Sequence, residues 1–379
     1  MNIVRHGFLA LLLLVPTILP AEEPRVLNPS QAQKDPDDGS FWYDARLLPV
    51  EGQGWTDTKS PYDRLPARAE ALVRDAVWNL SRHASGIVVP FRTAAGTIRA
   101  RWTLTSDRLA MPHMPASGVS GLDLYVRDDQ GTWRWLACRP PEGKTTTATL
   151  VSGLPENTRD YLLYLPLYNG VTSLEINVPA GKLLAASPPR DEPHQKPIVF
   201  YGTSITHGAS ASRPGMSHPA ILGRRFERPI INLGFSGNGR MEPEVATLLA
   251  ELDPAAFVID CLPNMTADEV LARTRPCVEI LRKAHPSTPI LLVEDRSYSD
   301  AFLIDSKRER NQTSRVALRK VYDELKSAGD DQLFYLEGEH LLGDDNEGTV
   351  DSSHPTDLGF MRQADAFEKA LAPILGSPR

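Results

Sequence analysis

Cysteine is scarce: three in 379 residues, at positions 138, 261 and 277. An odd count, with no Cys-x-x-Cys pair and no histidine at zinc spacing, excludes a disulfide-knitted miniprotein and a structural zinc module. At most one disulfide can form. Cys261 and Cys277 are the pair that an oxidising compartment would join, although Cys261 closes an apolar run and is expected to face a core. Positive charge is not in excess either, since 41 Lys plus Arg stand against 48 Asp plus Glu for a net charge of -7. The electrostatic footprint of a nucleic-acid binder is therefore missing. No apolar run approaches the roughly 20 residues of a membrane span. The longest, at 8–15, follows Arg5 and precedes Pro16, Pro20 and Ala21, which is the pattern of a secretory signal over 1–21. Removal of that segment predicts an exported protein, periplasmic or extracellular, with no membrane attachment afterwards.

What is present divides into two textures. Over 25–185 apolar and polar residues alternate in short runs: Ile98, Ala100, Trp102 and Leu104 with Arg99, Arg101 and Thr103, then Leu122, Leu124 and Val126 with Asp123, Tyr125 and Arg127. Asp129-Gln130-Gly131 turns the second run into 132–136 as a hairpin, and 161–167 and 174–178 add strands. One short helix is expected over 66–75. This half reads as an antiparallel β-sandwich, jelly-roll-like, with Trp78, Trp102, Trp133 and Trp135 first of all in its core. Residues 186–196 are a proline-rich polar linker. From 197 to 379 the rhythm changes to short continuous apolar runs at 198–201, 229–233, 256–261, 290–294 and 333–336, as strands buried on both faces require. Helical spacing fills the gaps: Val245, Leu248, Leu249 and Leu252, a capping box at Thr266 and Glu269, Leu318, Val321, Tyr322 and Leu325 with Gly329 as the stop, and a last helix over 358–371. Five βα units in succession imply a parallel sheet wrapped by helices, an α/β fold.

Ligands of such sheets bind beyond the carboxyl ends of the strands. Those exits carry Gly202-Thr203-Ser204, then Asn232-Leu233-Gly234-Phe235-Ser236-Gly237-Asn238-Gly239, then Pro263-Asn264, and finally Asp351-Ser352-Ser353-His354-Pro355. These are the parts for acyl transfer from an ester. A serine hydroxyl needs a base in hydrogen-bond reach, and the base needs a partner to fix its tautomer. Ser204, His354 and Asp351 supply the three, an Asp three positions before a His making the orienting contact local. Negative charge on the carbonyl oxygen requires donors, for which the N–H groups of Ser204 and Gly237 and the amide of Asn264 are available. Gly237 permits a positive φ.

These four blocks, in this order, resemble those of the SGNH (GDSL-like) hydrolase superfamily over 197–375. Gly121-Leu122-Asp123-Leu124-Tyr125 is similar to the GxDLY signature of a β domain that precedes some of its members. The resemblance implies a flavodoxin-like doubly wound sheet, Ser204 as nucleophile, His354 as base, Asp351 as its partner, and Ser204, Gly237 and Asn264 as oxyanion donors. It also implies an exported, metal-independent esterase without cofactor, acting on short acyl groups, acetyl above all, of an acylated carbohydrate. Two blocks depart from the family's usual form: Gly-Thr-Ser replaces Gly-Asp-Ser, and Leu262-Pro263-Asn264-Met265 replaces Gly-x-Asn-Asp. The α/β-hydrolase elbow Gly-x-Ser-x-Gly fails at Thr206.

Other polar residues on the same edge are His207, assigned to the pocket wall or to structure, and Glu294, Asp295 and Arg296, which would touch substrate unless they pair with one another. Arg82 and His83 are placed to close the pocket from above. The acidic run Asp344, Asp345 and Glu347 fits no EF-hand template and reads as a solvated loop. Two competing readings remain at the level of sequence: a glycan-binding exported protein whose hydrolase half is vestigial, and acyl transfer to a sugar instead of to water.

Overall fold

The computed structural model describes residues 25–378, so the signal-like segment 1–21 lies outside the described residues. Ten strands come first: β1 (Gln33–Lys34), β2 (Phe41–Asp44), β3 (Val88–Thr93), β4 (Thr97–Leu104), β5 (Leu122–Arg127), β6 (Trp133–Arg139), β7 (Thr145–Ser152), β8 (Arg159–Tyr164), β9 (Val171–Val178) and β10 (Leu184–Ala186). They pair antiparallel in two sheets, β1-β2-β9-β4-β7 and β10-β3-β8-β5-β6. The alternation in β4 sends Ile98, Ala100, Trp102 and Leu104 inward, where they meet Val89, Phe91, Leu122, Leu124 and Leu163 of the facing sheet. This is the layered core that a half-apolar strand pattern requires.

Two short helices accompany the sandwich, α1 (Asp75–Ser81) and α2 (Ala116–Val119). The helix expected over 66–75 is instead a 3-10 turn at Ala67–Ala71, and α1 begins where that helix should have ended. Burial explains the shift. Leu65, Ala69, Val73, Val77 and Trp78 pack with Trp55 against the second half of the molecule and not into the sandwich. Trp135 also departs from expectation, being 51% exposed. The face of β5 that a hairpin would leave in water is covered by the second half, and Trp135 sits beside it with its indole N–H donating to Asp123 (3.0 Å).

The second half holds β11 (Ile198–Gly202), β12 (Ile230–Gly234), β13 (Ala256–Asp260), β14 (Ile290–Val293) and β15 (Leu333–Leu336), all parallel and ordered β12-β11-β13-β14-β15. Its helices are α3 (Ser204–His207), α4 (His218–Arg225), α5 (Pro243–Leu249), α6 (Ala267–Ala284), α7 (Asp305–Ser327) and α8 (Asp357–Leu375). One apolar layer joins Val245, Leu249, Val278, Leu281 and Leu318 to one face of the sheet. The other joins Leu222, Phe360 and Phe367 to the opposite face. This is a flavodoxin-like doubly wound sheet. Strand order reverses around β11, so the crevice of the fold opens at the residues that follow it.

Cys261 and Cys277 do not pair: both are buried, free thiols in the layer that contains α6. Burial pushes the Cys277 thiol up to about 12 and raises that of Cys261 as well, so both behave as small apolar side chains.

Candidate active site

Strand β11 ends at Gly202, and Thr203 caps α3 by accepting the N–H of Ile205 through its hydroxyl (3.3 Å). Ser204 is thereby the first residue of the helix, its N–H free of any protein acceptor among the described residues, with the residue 8% exposed. The helix is one turn long because Gly208 (φ 113°) ends it.

The histidine arrives from the far end of the chain. Loop 349–355 closes on itself, the Val350 N–H donating to the His354 carbonyl (3.0 Å), and docks on the segment after α3, where the Ser210 N–H donates to the Pro355 carbonyl (3.1 Å). Asp357 at the start of α8 accepts both the N–H (2.9 Å) and the hydroxyl (2.5 Å) of Ser212. These contacts bring Nε2 of His354 to 2.8 Å from Oγ of Ser204. Nδ1 of the same ring lies 2.7 Å from Oδ2 of Asp351. The Nδ1–H tautomer satisfies both contacts, leaving Nε2 to accept the serine proton. Asp351 is held in turn by the backbone N–H groups of Ser353 (3.0 Å) and His354 (2.7 Å) on Oδ1. Burial pushes its carboxyl up, but the backbone N–H and ring of His354 outweigh this and hold it below its ordinary value.

The donors that the sequence offers for a developing oxyanion lie on neighbouring exits. The Phe235 N–H donates to the Gly202 carbonyl (2.9 Å), which seats the loop after β12 against the end of β11. Gly237 has φ 70°, a conformation that side-chain-bearing residues rarely adopt, and its N–H has no protein acceptor among the described residues. Asn264, in the 3-10 turn Leu262–Asn264, is satisfied when its amide oxygen accepts the N–H groups of Asn238 (3.0 Å) and Gly239 (3.2 Å). That orientation leaves the amide hydrogens to donate elsewhere.

The remaining candidates are engaged elsewhere. His207 is fully buried, its Nε2 donating to the Leu167 carbonyl (2.7 Å). Burial, with Arg64 and His83 beside it, drives its pKa well down. Both oxygens of Glu294 are taken, by the Tyr335 hydroxyl (2.5 Å) and the Gly338 N–H (2.8 Å). Arg296 is buried and forks onto Asp260 (2.5 and 2.7 Å), with its Nε on Gln363 (3.0 Å). Asp260 also accepts the Thr206 hydroxyl (2.9 Å), so this pair braces α3 from below. The expectation that Glu294 and Arg296 touch substrate fails because their polar atoms are consumed internally.

The first half contributes residues that sequence patterning did not single out. The Tyr168 phenol lies 3.3 Å from the Ser204 carbonyl and bonds Ser236, while its ring stacks on His207 at 4.1 Å. Ser85 donates to the His207 carbonyl (2.7 Å), and Arg64 reaches the end of β12. Their only local signal is that each belongs to the first half and none carries a motif; Arg82 and His83 were the nearest residues foreseen. The Arg82 guanidinium pairs with Asp63 (2.6 Å) and His83 lies 5.4 Å from the His207 ring.

A serine–imidazole–carboxylate chain at the switch point of a flavodoxin-like sheet, with free N–H groups alongside, defines an SGNH-type hydrolase. Residues 195–372 match the GDSL-like lipase/acylhydrolase family, and 40–184 match the N-terminus of SGNH-hydrolase-type esterases. A GDSL-like lipase of Bacteroides ovatus is 35% identical with a TM-score of 0.84, over 89% of this chain and 98% of that one. The chain belongs to the GDSL-like lipase/acylhydrolase family. A salicylyl-acyltransferase of a tetracycline biosynthetic pathway (21% identity, TM-score 0.69, 92% and 97% covered) shares the fold. So does a family two carbohydrate esterase of Clostridium thermocellum (16%, 0.55, 77% and 93%). No curated protein matches the chain.

Proposed function

We propose that this protein is an exported serine esterase that removes short acyl groups, acetyl first, from carbohydrates. The observation that carries the reading is the 2.8 Å contact between Ser204 and His354 continued by the 2.7 Å contact to Asp351. Oγ of Ser204 attacks the ester carbonyl carbon as Nε2 of His354 takes its proton, and the N–H groups of Ser204 and Gly237 with the amide of Asn264 receive the charge on the carbonyl oxygen. The tetrahedral intermediate collapses by breaking the bond to the sugar oxygen, which leaves with the proton from His354. Water then attacks the acyl-serine, His354 again taking the proton, and the free acid departs with Ser204 restored.

The intact hydrogen-bond chain argues against a vestigial site. The choice of carbohydrate rests on the family resemblance and is consistent with the fold shared with carbohydrate esterases. Export rests on the sequence of residues 1–21; no described helix is long and apolar enough to cross a membrane.

The test is release of p-nitrophenol from its acetate and of acetate from acetylated polysaccharides, by the parent and by Ser204→Ala. Ester hydrolysis by the parent that Ser204→Ala abolishes is the expected result. A folded parent inert toward every short acyl ester overturns the proposal, and activity on the small ester with none on any glycan overturns its carbohydrate part.

A further inference from the structure

We infer that Arg64, from the first half of the chain, is a positioning residue that sets the direction in which β12 leaves the sheet and so fixes the oxyanion-binding loop. The inference rests on the esterase reading of the site and assigns it a part that lies outside the hydrolase half.

Among the described residues β12 is an edge strand, paired only with β11. In an edge strand, carbonyls two residues apart point outward with no ladder partner, and when buried they need donors from elsewhere. Asn232 and Gly234 present two such carbonyls at the end of β12. Nη1 of Arg64 donates to both, at 2.9 and 2.8 Å. The rest of the same guanidinium is tied to the end of α1, Nη2 donating to the Leu80 carbonyl (2.6 Å) and Nε to that of His83 (2.9 Å). Arg64 is 1% exposed. All four of its acceptors are backbone carbonyls, and no carboxylate accepts from it among the described residues. The neighbouring Asp63 instead forms an ion pair with Arg82 (2.6 Å) and accepts the Ser60 N–H (2.8 Å).

The two residues gripped by Arg64 also hold the nucleophile's helix. The Asn232 side-chain amide donates to the Thr206 carbonyl of α3 (2.7 Å), and its oxygen accepts the Gly234 N–H (2.9 Å). Beyond Gly234 the chain passes through Phe235, whose ring lies 5.2 Å from the Arg64 guanidinium, directly to Gly237. One buried cation therefore bridges three segments at the point where α3 and the oxyanion loop meet. A point-like ammonium cannot reproduce this fork, and an apolar side chain would leave the carbonyls of Asn232, Gly234 and His83 without a donor, that of Leu80 keeping the His83 N–H (3.2 Å). Burial draws the guanidinium down to about 9, yet it stays charged at neutral pH.

The experiment compares the parent with Arg64→Lys and Arg64→Met for kcat and KM on p-nitrophenyl acetate, for thermal unfolding, and for inhibition by a small alkylboronic acid, whose serine adduct places an oxygen where the oxyanion forms. The expected result is a loss in kcat of about 10²-fold, the scale of one oxyanion donor, with KM little changed and boronate affinity weakened in parallel. Guanidinium at low millimolar concentration should restore part of the activity of Arg64→Ala, and sodium chloride at equal ionic strength should not. Parental kcat in a folded variant, a loss that only tracks the unfolded fraction, or variants none of which folds would each overturn the inference. A parent inert toward both ester and boronate would sink the esterase reading itself, whereas an active parent with equally active Arg64 variants sinks this inference alone.

Discussion

A Cβ on Gly234 would stand 2.2 Å from the backbone nitrogen of His207, closer than any real contact. The end of β12 and the helix that begins at Ser204 therefore touch backbone to backbone. Gly234→Ala must force them apart. An overpacked core site costs about 1–3 kcal/mol, and here the displaced elements carry the proposed nucleophile and the proposed oxyanion loop. Thermal unfolding should show a loss of that size, and kcat per folded molecule should fall at least tenfold. A variant with parental kcat would show that the contact does not govern the site.

Asp351 selects the tautomer of His354. In Asp351→Asn an amide N–H facing Nδ1 favours the ring with its proton on Nε2, which can no longer accept from Ser204. The expected loss in kcat is about 10²- to 10⁴-fold, the upper figure being that of the corresponding change in a serine protease. Thermal stability should change little, since Asp351 lies on a partly exposed loop, its side chain 28% accessible. Because its carboxyl is held below the ordinary value, Asp351 stays ionised through mildly acidic pH.

Asp123 joins the two halves through contacts that include none of the proposed site residues. Its fully buried carboxylate accepts from Arg213 (2.9 Å), the Gly215 N–H (2.8 Å) and the Trp135 indole (3.0 Å). Breaking a buried pair from one side leaves its partner uncompensated, at a cost of about 3–5 kcal/mol. Asp123→Asn should approach the lower figure in denaturant unfolding, with kcat per folded molecule within about twofold of the parent. A much larger loss of kcat in the folded variant would contradict the purely structural role.

His218 is fully buried among the rings of Phe200, Phe360 and Phe367, and neither ring nitrogen has a hydrogen-bond partner among the described residues. Burial and then Arg296 drive its pKa well down. The Asp260 carboxylate 3.9 Å away does not reverse this, being already bound to Arg296. The unfolded chain takes up a proton below about 6.5 that the folded protein refuses, so this group lowers stability as pH falls. His218→Phe removes that term. The variant should gain on the parent by up to about 1.4 kcal/mol for each pH unit below 6.5, measured as unfolding free energy against pH. Parallel curves for the two proteins would show that His218 is not held neutral.

Much of this was legible in the chain before folding. The alternation in β4 and β5, the continuous runs of the five parallel strands and the capping box of α6 are local signals, because burial on one face, burial on two faces and an unpaired helix end each impose a pattern within a few residues. The meeting of Ser204, His354 and Asp351 was legible for a related reason: strand exits share one edge of an open parallel sheet, and an aspartate three residues before a histidine can reach it without help from the fold. The helix misplaced at 66–75 shows the opposite case. The surface its apolar residues cover, lined by Val245 and Leu249, is built about 170 residues later, so no pattern within the segment shows where the helix must start.

By itself, then, the sequence determined the strand and helix inventory, the order of the reactive groups along one sheet edge and the membership of a family. Only the tertiary structure decided what each remaining polar group does. Glu294 and Arg296 were turned inward by Tyr335, Gly338 and Asp260, His207 was sealed under Tyr168, and Arg64 was carried from the first half to the carbonyls of β12. The physical reason is that a buried polar group must find its partner wherever the folded chain places one. That partner is set by three-dimensional packing, which no pattern along the chain encodes.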